Sequence, residues 1–378
     1  MGKCVGLFGL TFDSGNMGCQ ALAYSFFSLI SVYDIEKIYC FCEGGVDEKR
    51  LRKDMEITPV VYRTKNLKSI INMKRYIEKC DLIFDFTEGD SFSDIYGIKR
   101  FIRISIPKLL SARYGKTFIL GPQTYGPYKS LLSKVISKRI FQKCDFVMSR
   151  DAASAELINS MSGVTAKVYT DIAFALPYTK REVSNQKKIG INVSGLLWNG
   201  GYTGTNQFGL RVNYKEYISS LVQKLIDSGY EVYLIPHVIT KDEKNVENDV
   251  SANEELRRAF PKVIIAPSFK NPVEAKSYIS SMDIFIGARM HATIGAFSSG
   301  VVTIPFSYSK KFDGLFGNLN YPYIIDARKL ETNEALYKTI EYIENKDLLL
   351  HSQEEALKKI QGILNGFKHE LDALFKGE

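Results

Sequence analysis

The sequence has 378 residues, 45% of them hydrophobic and 24% charged, and 50 lysines and arginines against 42 aspartates and glutamates give a net charge of +8. This length predicts two domains, and this composition is typical of a soluble globular protein. The excess charge is dispersed rather than gathered in a block, which argues against a nucleic-acid partner, and no apolar run reaches the ~18 residues of a transmembrane helix.

Strands and helices alternate in the first half of the chain. Apolar runs predict strands at 4–10, 37–42, 80–86, 116–121 and 145–149. Amphipathic stretches at 19–30 and 66–79 predict helices between them. The first run is too short for a signal peptide, so we expect a buried strand there and a cytoplasmic protein. This spacing is typical of βαβ units and of a parallel sheet covered on both faces.

The periodicity stops over the polar segment 171–188, which we interpret as a linker, and then resumes. Strands are predicted at 188–194, 231–236, 262–267, 283–287, 301–306 and 323–326. Helices are predicted at 213–229 and 271–282, and the chain beyond about residue 332 is helical and charged.

The sequence therefore predicts an α/β fold of two tandem, doubly wound Rossmann-like domains. We place them at 1–175 and 188–345, with a C-terminal helix over 346–378 that packs back across them. In such sheets ligands bind beyond the carboxyl ends of the strands. The loops that follow strands are therefore the places to look for chemistry.

Two loops of the first domain carry polar residues suited to binding or proton transfer. In "TFDSGNMGCQA", Asn16 lies among glycines that let backbone N–H groups approach an anion or a sugar hydroxyl, although a plain tight turn is the alternative. In "DFTEGDSFSDIYG", Glu88, Asp90 and Asp94 are crowded, which can raise the pKa of one carboxylate and make a general acid or base. Capping of the following helix is the alternative for these carboxylates.

Two later loops of this domain offer hydrogen-bonding groups. In "GPQTYGP", prolines stiffen a loop that presents Gln123 and Tyr125 to a sugar or serves as a rigid connector. In "SRDAAS", Arg150 either binds an anionic ligand or pairs with Asp151.

Cations gather at the strand ends of the second domain. His237 follows the strand at 231–236, and the loop after the strand at 301–306 carries Lys310. Arg289 and His291 stand in the first turn of a predicted helix, where free N–H groups and the helix dipole already favour an anion. Arginine adds a fork suited to carboxylate or phosphate, and histidine adds a proton that moves near neutral pH. The combination predicts a small, doubly anionic substrate and a proton transfer.

Two basic amphipathic segments, 98–113 and 129–143, have a further interpretation. In the second, Leu131, Leu132, Val135, Ile136 and Ile140 share one helical face. Docking on an anionic membrane surface and ordinary packing of this face on the sheet are the two alternatives. The six cysteines show no metal-binding spacing, so we expect free thiols and no metal.

The loops together resemble the polysaccharide pyruvyl transferase family. The resemblance rests on Asn16–Gly18 (N-x-G), "EGDSFSD", "GPQTYGP", "SRDAAS", "TDIAF", "LIPH", "GARMHATIGAFSSG" and "PFSYSKKFDGL", in family order over nearly the whole chain. It implies a glycosyltransferase-like, GT-B-like double-Rossmann fold. It also implies phosphoenolpyruvate as donor substrate, a cyclic pyruvate ketal on a sugar diol as product, and no cofactor.

The resemblance suggests a role for each candidate residue. His291 is expected to be the general acid and Asp90 the base that takes the hydroxyl protons. The donor is expected to contact Arg289, Lys310, Arg150 and His237. The acceptor is expected to contact Asn16, Glu88, Gln123 and Tyr125. The chain departs from the family at Cys19–Gln20, where Asp-Glu is usual, so no acid–base role is carried onto that loop.

Two other classes of protein compete with this interpretation. A nucleotide-sugar glycosyltransferase of the same architecture would need a pyrophosphate and a ribose site, and a non-catalytic glycan- or anion-binding protein would not need the Arg289–His291 pair. The family suggests a glycan acceptor, a precursor of a cell-surface, capsular or exopolysaccharide. It leaves open a lipid-linked acceptor and peripheral contact with the inner leaflet of the cytoplasmic membrane.

Overall fold

The computed structural model describes residues 2–45, 56–181, 187–240, 242 and 244–377, without the side chain of Lys310. The chain forms two compact units. Unit 1 comprises Met1–Ser14, Leu22–Ala175 and Gly362–Glu378, and unit 2 comprises Gly15–Ala21 and Leu176–Gln361. Each unit has its own parallel sheet, as the sequence predicts.

The sheet of unit 1 has the order β3-β2-β1-β4-β5-β6-β7 with parallel neighbours. Its strands are β1 (Lys3–Phe8), β2 (Ile35–Glu43), β3 (Ile57–Tyr62), β4 (Leu82–Asp85), β5 (Phe118–Gln123), β6 (Phe146–Ser149) and β7 (Lys167–Val168). The strand order reverses between β1 and β4, which makes their carboxyl ends the usual place for a ligand in this fold.

Helices follow most strands of unit 1. They are α1 (Met17–Ile30), α2 (Leu67–Ile77), α3 (Ile98–Tyr114), α4 (Leu131–Phe141) and α5 (Ala152–Ser162). Short polar side chains start several of them: Ser130 and Asp151 accept hydrogen bonds from the backbone N–H groups of Ser133 and Ser154. Aromatic rings of Phe92 and neighbouring residues fill the core between these helices and the sheet.

The sheet of unit 2 has the order β10-β9-β8-β11-β12-β13 and is also parallel. Its strands are β8 (Lys188–Asn192), β9 (Glu231–Leu234), β10 (Ile264–Ile265), β11 (Ile284–Gly287), β12 (Val302–Ser307) and β13 (Ile325–Asp326). Here the order reverses between β8 and β11.

Most helices of unit 2 connect these strands. They are α6 (Gly195–Trp198), α7 (Tyr214–Asp227), α8 (Asp249–Ala259), α9 (Pro272–Ile279), α10 (Met290–Ser298), α11 (Lys310–Asn318) and α12 (Thr332–Glu344). The last helix, α13 (Lys346–Lys376), belongs to both units. Near its start Gln353 bonds the backbone of Thr303 in unit 2, and near its end the carbonyl of Leu374 accepts from Lys3 in unit 1.

The cysteines are free thiols, as the sequence predicts. All six cysteines are free, with Cys40 and Cys80 buried and the others half-buried. Among the described residues no helix has both the length and the hydropathy needed to cross a bilayer.

Candidate functional site

The loop between β11 and α10 lies at the point where the strand order of unit 2 reverses. Arg289 is the N-cap of α10, and its backbone N–H donates to Asn192 Oδ1 at 2.8 Å, at the end of β8. His291 is the second residue of the helix. The sequence prediction that both residues stand at the start of a helix is therefore confirmed.

The Arg289 guanidinium forms a buried ion pair. Its Nη2 and Nε lie 2.9 and 3.2 Å from Asp249 Oδ1, and Nη2 also donates to the carbonyl of Glu247 at 2.6 Å. Burial alone would lower the pKa of Arg289, but the Asp249 carboxylate raises it above its ordinary value, so the group stays charged. The Nη1 atom makes no hydrogen bond to a described residue.

Asp249 holds the strand ends of the site together. It is fully buried, and its Oδ2 accepts from the backbone N–H groups of His237 and Val238, each at 2.9 Å, while Oδ1 accepts from Gly195 N at 2.9 Å. A carboxylate with this many donors is well compensated for its burial. Sequence reasoning missed Asp249 because an acid in the first turn of a helix normally needs no further purpose.

His237 is buried, and both of its ring nitrogens are without a hydrogen-bond partner in the described structure. Burial and, to a smaller extent, the positive charges of His291 and Arg289 lower the pKa of His237 to about 3. The imidazole is therefore neutral, with one N–H donor and one acceptor unpaired. Each unsatisfied buried group costs about 1–3 kcal/mol, which a bound ligand with complementary groups would recover.

The first loop of the chain also belongs to this site. Asn16 Oδ1 accepts from Gly18 N at 2.8 Å, and Met17 N donates to the carbonyl of His237 at 3.1 Å. Gly18 lies against the His291 imidazole so closely that a Cβ at this position would fall 2.9 Å from His291 Cγ and nearer still to Nδ1. The structure thus brings together Asn16, His237 and His291, which the sequence assigned to different sides of the reaction.

Tyr308 borders Arg289 from the end of β12. Burial raises the pKa of the Tyr308 phenol, and the nearby positive charge of Arg289 opposes that rise. The Lys310 side chain, a predicted donor contact, lies outside the described part of the structure.

In unit 1, the turn after β4 has an unusual backbone. Thr87, Glu88 and Gly89 have positive φ angles of 41, 55 and 89°. This region is unfavourable for threonine, and strained turns of this kind cluster at functional sites. Gly9 permits the turn, because a Cβ there would lie 2.5 Å from Thr87 Cα. Asp90 follows the turn and is half-buried.

A cavity of ≈ 340 Å³ opens beside this turn, at the carboxyl ends of β1, β2 and β4. Three ion pairs line it, Arg100–Glu88, Arg103–Glu43 and Lys108–Asp85, with N–O distances of 3.0, 3.1 and 2.9 Å. Aromatic side chains form another part of the wall, including Phe8, Phe12, Phe41 and Tyr62. Paired charges beside aromatic rings suit a polyhydroxylated ligand.

Three other predicted site residues have internal partners. Gln123 is fully buried; its Nε2 donates to the carbonyl of Asp85 at 2.8 Å, while its Oε1 has no hydrogen-bond partner among the described residues. The buried Tyr125 hydroxyl donates to Gly121 O at 3.1 Å. The burial of Tyr125 is typical of a packing role, and the acceptor contacts of both residues stay predictions. Arg150 pairs with Asp171 at 2.6 Å rather than with Asp151, which caps α5 instead. No cluster of potential metal ligands occurs in the described residues.

Comparison with known proteins gives one family and a set of structural relatives. The family model described as "Polysaccharide pyruvyl transferase" matches residues 16–310. Among solved structures, HepE of Anabaena in complex with UDP and glucose has a TM-score of 0.60 at 10% identity, covering 98% of this chain and 100% of that one.

Two further solved structures show the same fold. Sucrose-phosphate synthase of Thermosynechococcus elongatus has a TM-score of 0.60 at 8% identity, covering 99% and 98% of the two chains. The UDP-GlcNAc 2-epimerase of Neisseria meningitidis bound to UDP-GlcNAc has a TM-score of 0.54 at 10% identity, covering 96% and 100%. At these identities the likeness shows only the fold, the double-Rossmann fold of GT-B glycosyltransferases.

Proposed function

The chain belongs to the polysaccharide pyruvyl transferase family, and we propose that it uses phosphoenolpyruvate to form a cyclic pyruvate ketal on a sugar, with release of phosphate. Membership of this family makes the protein a transferase with a role in pyruvyl transfer.

The observation that carries the proposal is the group of side chains at the start of α10. It combines a charged guanidinium, a neutral buried imidazole with no partner, and a second imidazole at a helix N-terminus. Phosphoenolpyruvate carries a phosphate and a carboxylate, and both suit helix N–H groups and guanidinium donors. Asp249 occupies Nε and Nη2 of Arg289, so we assign the anion contact to Nη1.

The proposed reaction starts with protonation of the methylene carbon of phosphoenolpyruvate by the His291 imidazolium. The resulting oxocarbenium-like C2 is attacked by one sugar hydroxyl, phosphate leaves from C2, and the second hydroxyl closes the ketal. Asp90 is our candidate for the base that takes the two hydroxyl protons one after the other; one of them restores the proton that His291 has donated, and the other leaves with phosphate. The neutral His237 can donate one hydrogen bond to the donor molecule and accept another.

The cavity of unit 1, with Glu88 in its wall, is our candidate for binding the sugar. The expected acceptor is a cytoplasmic precursor of a cell-surface or capsular polysaccharide, either free or lipid-linked. Acceptor contacts at Asn16, Gln123 and Tyr125 stay predictions.

Calorimetric titration of phosphoenolpyruvate into the wild-type protein, His291→Asn and His237→Phe tests the donor site. We expect binding by wild type, binding by His291→Asn without catalysis, and at least tenfold weaker binding by His237→Phe, since a lost hydrogen bond to an anion amounts to about 1.5–3 kcal/mol. Absence of binding to folded wild type would refute phosphoenolpyruvate as the donor.

A nucleotide-sugar glycosyltransferase is the second candidate. It is favoured by one observation, that solved proteins of this fold were crystallised with UDP. Titration of UDP-glucose into the same protein separates the two candidates, because binding of UDP-glucose without binding of phosphoenolpyruvate would support the glycosyltransferase.

A further inference from the structure

A long part of unit 1 contains no acidic residue. Between Asp94 and Asp145 the sequence has no aspartate or glutamate, and this stretch includes all of α3 and α4. Its lysines and arginines are Lys99, Arg100, Arg103, Lys108, Arg113, Lys116, Lys129, Lys134, Lys138, Arg139 and Lys143. Helices α3 and α4 pack side by side, so this positive charge is concentrated on neighbouring elements.

Helix α4 buries two serines and exposes three of its aliphatic residues. Against the unit it buries Ser133 and Ser137 together with Ile140 and Phe141. Leu131 and Val135 are 78% and 57% exposed, and Leu132 is also exposed. Of the two alternatives for this face, packing on the sheet is therefore wrong for these three side chains, although Ile140 is buried. Burial of a leucine or valine side chain stabilises a folded protein by roughly 1.5–3 kcal/mol. A helix that buries serines and leaves leucine and valine in water therefore forgoes this stabilisation unless a partner covers the exposed side chains.

Asp94 holds a second set of exposed apolar side chains beside the start of α4. Its carboxylate accepts from Lys129 N at 2.9 Å, Ser130 N at 2.8 Å and Ser133 Oγ at 2.7 Å, all at the start of α4. Burial opposes ionisation, but these hydrogen bonds lower the pKa of Asp94 to about 2. The exposed side chains of Ile95 and Tyr96 follow directly, and two further isoleucines are exposed along the first turns of α3.

The cations among these apolar side chains are available to a partner. Lys134, Lys138 and Arg139 are exposed, and they form no ion pair with any residue that the structure describes. By contrast, four other cations of this stretch have acidic partners, namely Arg100, Arg103, Lys108 and Lys116. These three unpaired cations are on α4, the helix that also exposes Leu131, Leu132 and Val135.

We propose that this face docks on the surface of an anionic lipid bilayer. The docking face comprises Ile95, Tyr96, Ile98, Lys99, Ile102, Leu131, Leu132, Lys134, Val135 and Lys138. Aliphatic and aromatic side chains enter the boundary between headgroups and acyl chains while lysines attract anionic headgroups. A soluble polyanion such as a nucleic acid would use the lysines but leave the leucines and valine in water, so the bilayer is the better match.

Vesicle flotation tests this proposal independently of the enzymatic activity. The vesicles are phosphatidylcholine alone or an equimolar mixture with phosphatidylglycerol, at low and high salt. The variants are Leu131→Ser/Leu132→Ser/Val135→Ser and Lys134→Glu/Lys138→Glu. The control is Val32→Ser, whose side chain is also 78% exposed but follows α1. Thermal melts of all variants serve as the control for folding.

We expect the wild type and Val32→Ser to float with phosphatidylglycerol vesicles, to a smaller extent at high salt, and to stay behind with phosphatidylcholine alone. Each docking-face variant should bind at least tenfold more weakly, since one cation near such a surface amounts to about a fivefold change. Failure of the wild type to bind would overturn the proposal. So would undiminished binding by the serine variant, particularly if heparin competed for it, because that result would indicate a polyanion site.

Discussion

Replacement of Gly18 by alanine tests whether the first loop positions the candidate acid. A Cβ at residue 18 would fall 2.9 Å from His291 Cγ and 3.0 Å from Asn16 Oδ1, with Nδ1 nearer still. Carbon atoms pack at roughly 3.5–4.0 Å, so the imidazole or the loop has to move by about 1 Å. Such a displacement of a catalytic group costs on the order of 100-fold in rate.

The assay is phosphate release from phosphoenolpyruvate in the presence of an acceptor, with phosphoenolpyruvate binding measured in parallel. We expect kcat/KM to fall by about two orders of magnitude, while overpacking lowers the free energy of unfolding by only about 1–3 kcal/mol. Gly295→Ala in α10 is the matched control, because its Cβ would lie 3.8 Å from the nearest atom, Lys276 Cγ. Equal activity of the two alanine variants would show that Gly18 does not position His291.

Three further predictions concern stability. The pKa of His237 is near 3 in the folded protein and about 6.5 in the unfolded chain, so between these values the unfolded chain binds more protons. The free energy of unfolding therefore decreases as the pH is lowered below about 6.5. Denaturant titration should show that this free energy drops by about 2 kcal/mol more between pH 7 and pH 5 in the wild type than in His237→Asn. Asp249→Asn leaves the Arg289 charge buried without its partner and should lower the free energy of unfolding by about 3–5 kcal/mol in urea titration. Lys108→Met should lower the free energy of unfolding by a similar amount, because it leaves the buried Asp85 charge without its partner. The double variant Asp85→Leu/Lys108→Met should recover a large part of that stability, because it removes both buried charges. Equal losses in the single and double variants would contradict this.

The sheets could be predicted from the sequence wherever a strand is a continuous apolar run. Strand β3 was missed because Thr58 and Pro59 interrupt its pattern, and Pro59 is tolerated there since β3 is an edge strand. Strand β7 was missed because it has two exposed residues and so carries no burial pattern. The right-handed crossover rule fixes the hand of each connection but not the order of the strands. The assignment of Gly15–Ala21 to unit 2 depends on tertiary contacts that no local pattern encodes.

The candidate site was predictable in its location but only partly in its membership. Arg289, His291 and His237 follow strand ends near the reversal of strand order, where the fold places ligands. Gln123 and Tyr125 have equally polar sequence neighbours, yet both side chains are buried in the core. Gln123 is the last residue of β5 and Tyr125 lies in the loop after it, and which way each side chain points there depends on which buried groups it can satisfy, which a single sequence does not show.

The ion pair with Asp249 makes it possible to separate two roles of Arg289. If Arg289 only holds the strand ends together, Asp249→Asn and Arg289→Ala should both weaken phosphoenolpyruvate binding, because each disrupts the same network. If the guanidinium also contacts the donor, Asp249→Asn removes a competing anion and leaves the positive charge in place, so binding should persist or become tighter while stability falls. Arg289→Ala should lose binding in either case. The affinity of folded Asp249→Asn for phosphoenolpyruvate, measured by calorimetry, therefore decides between a structural arginine and one that also binds the donor.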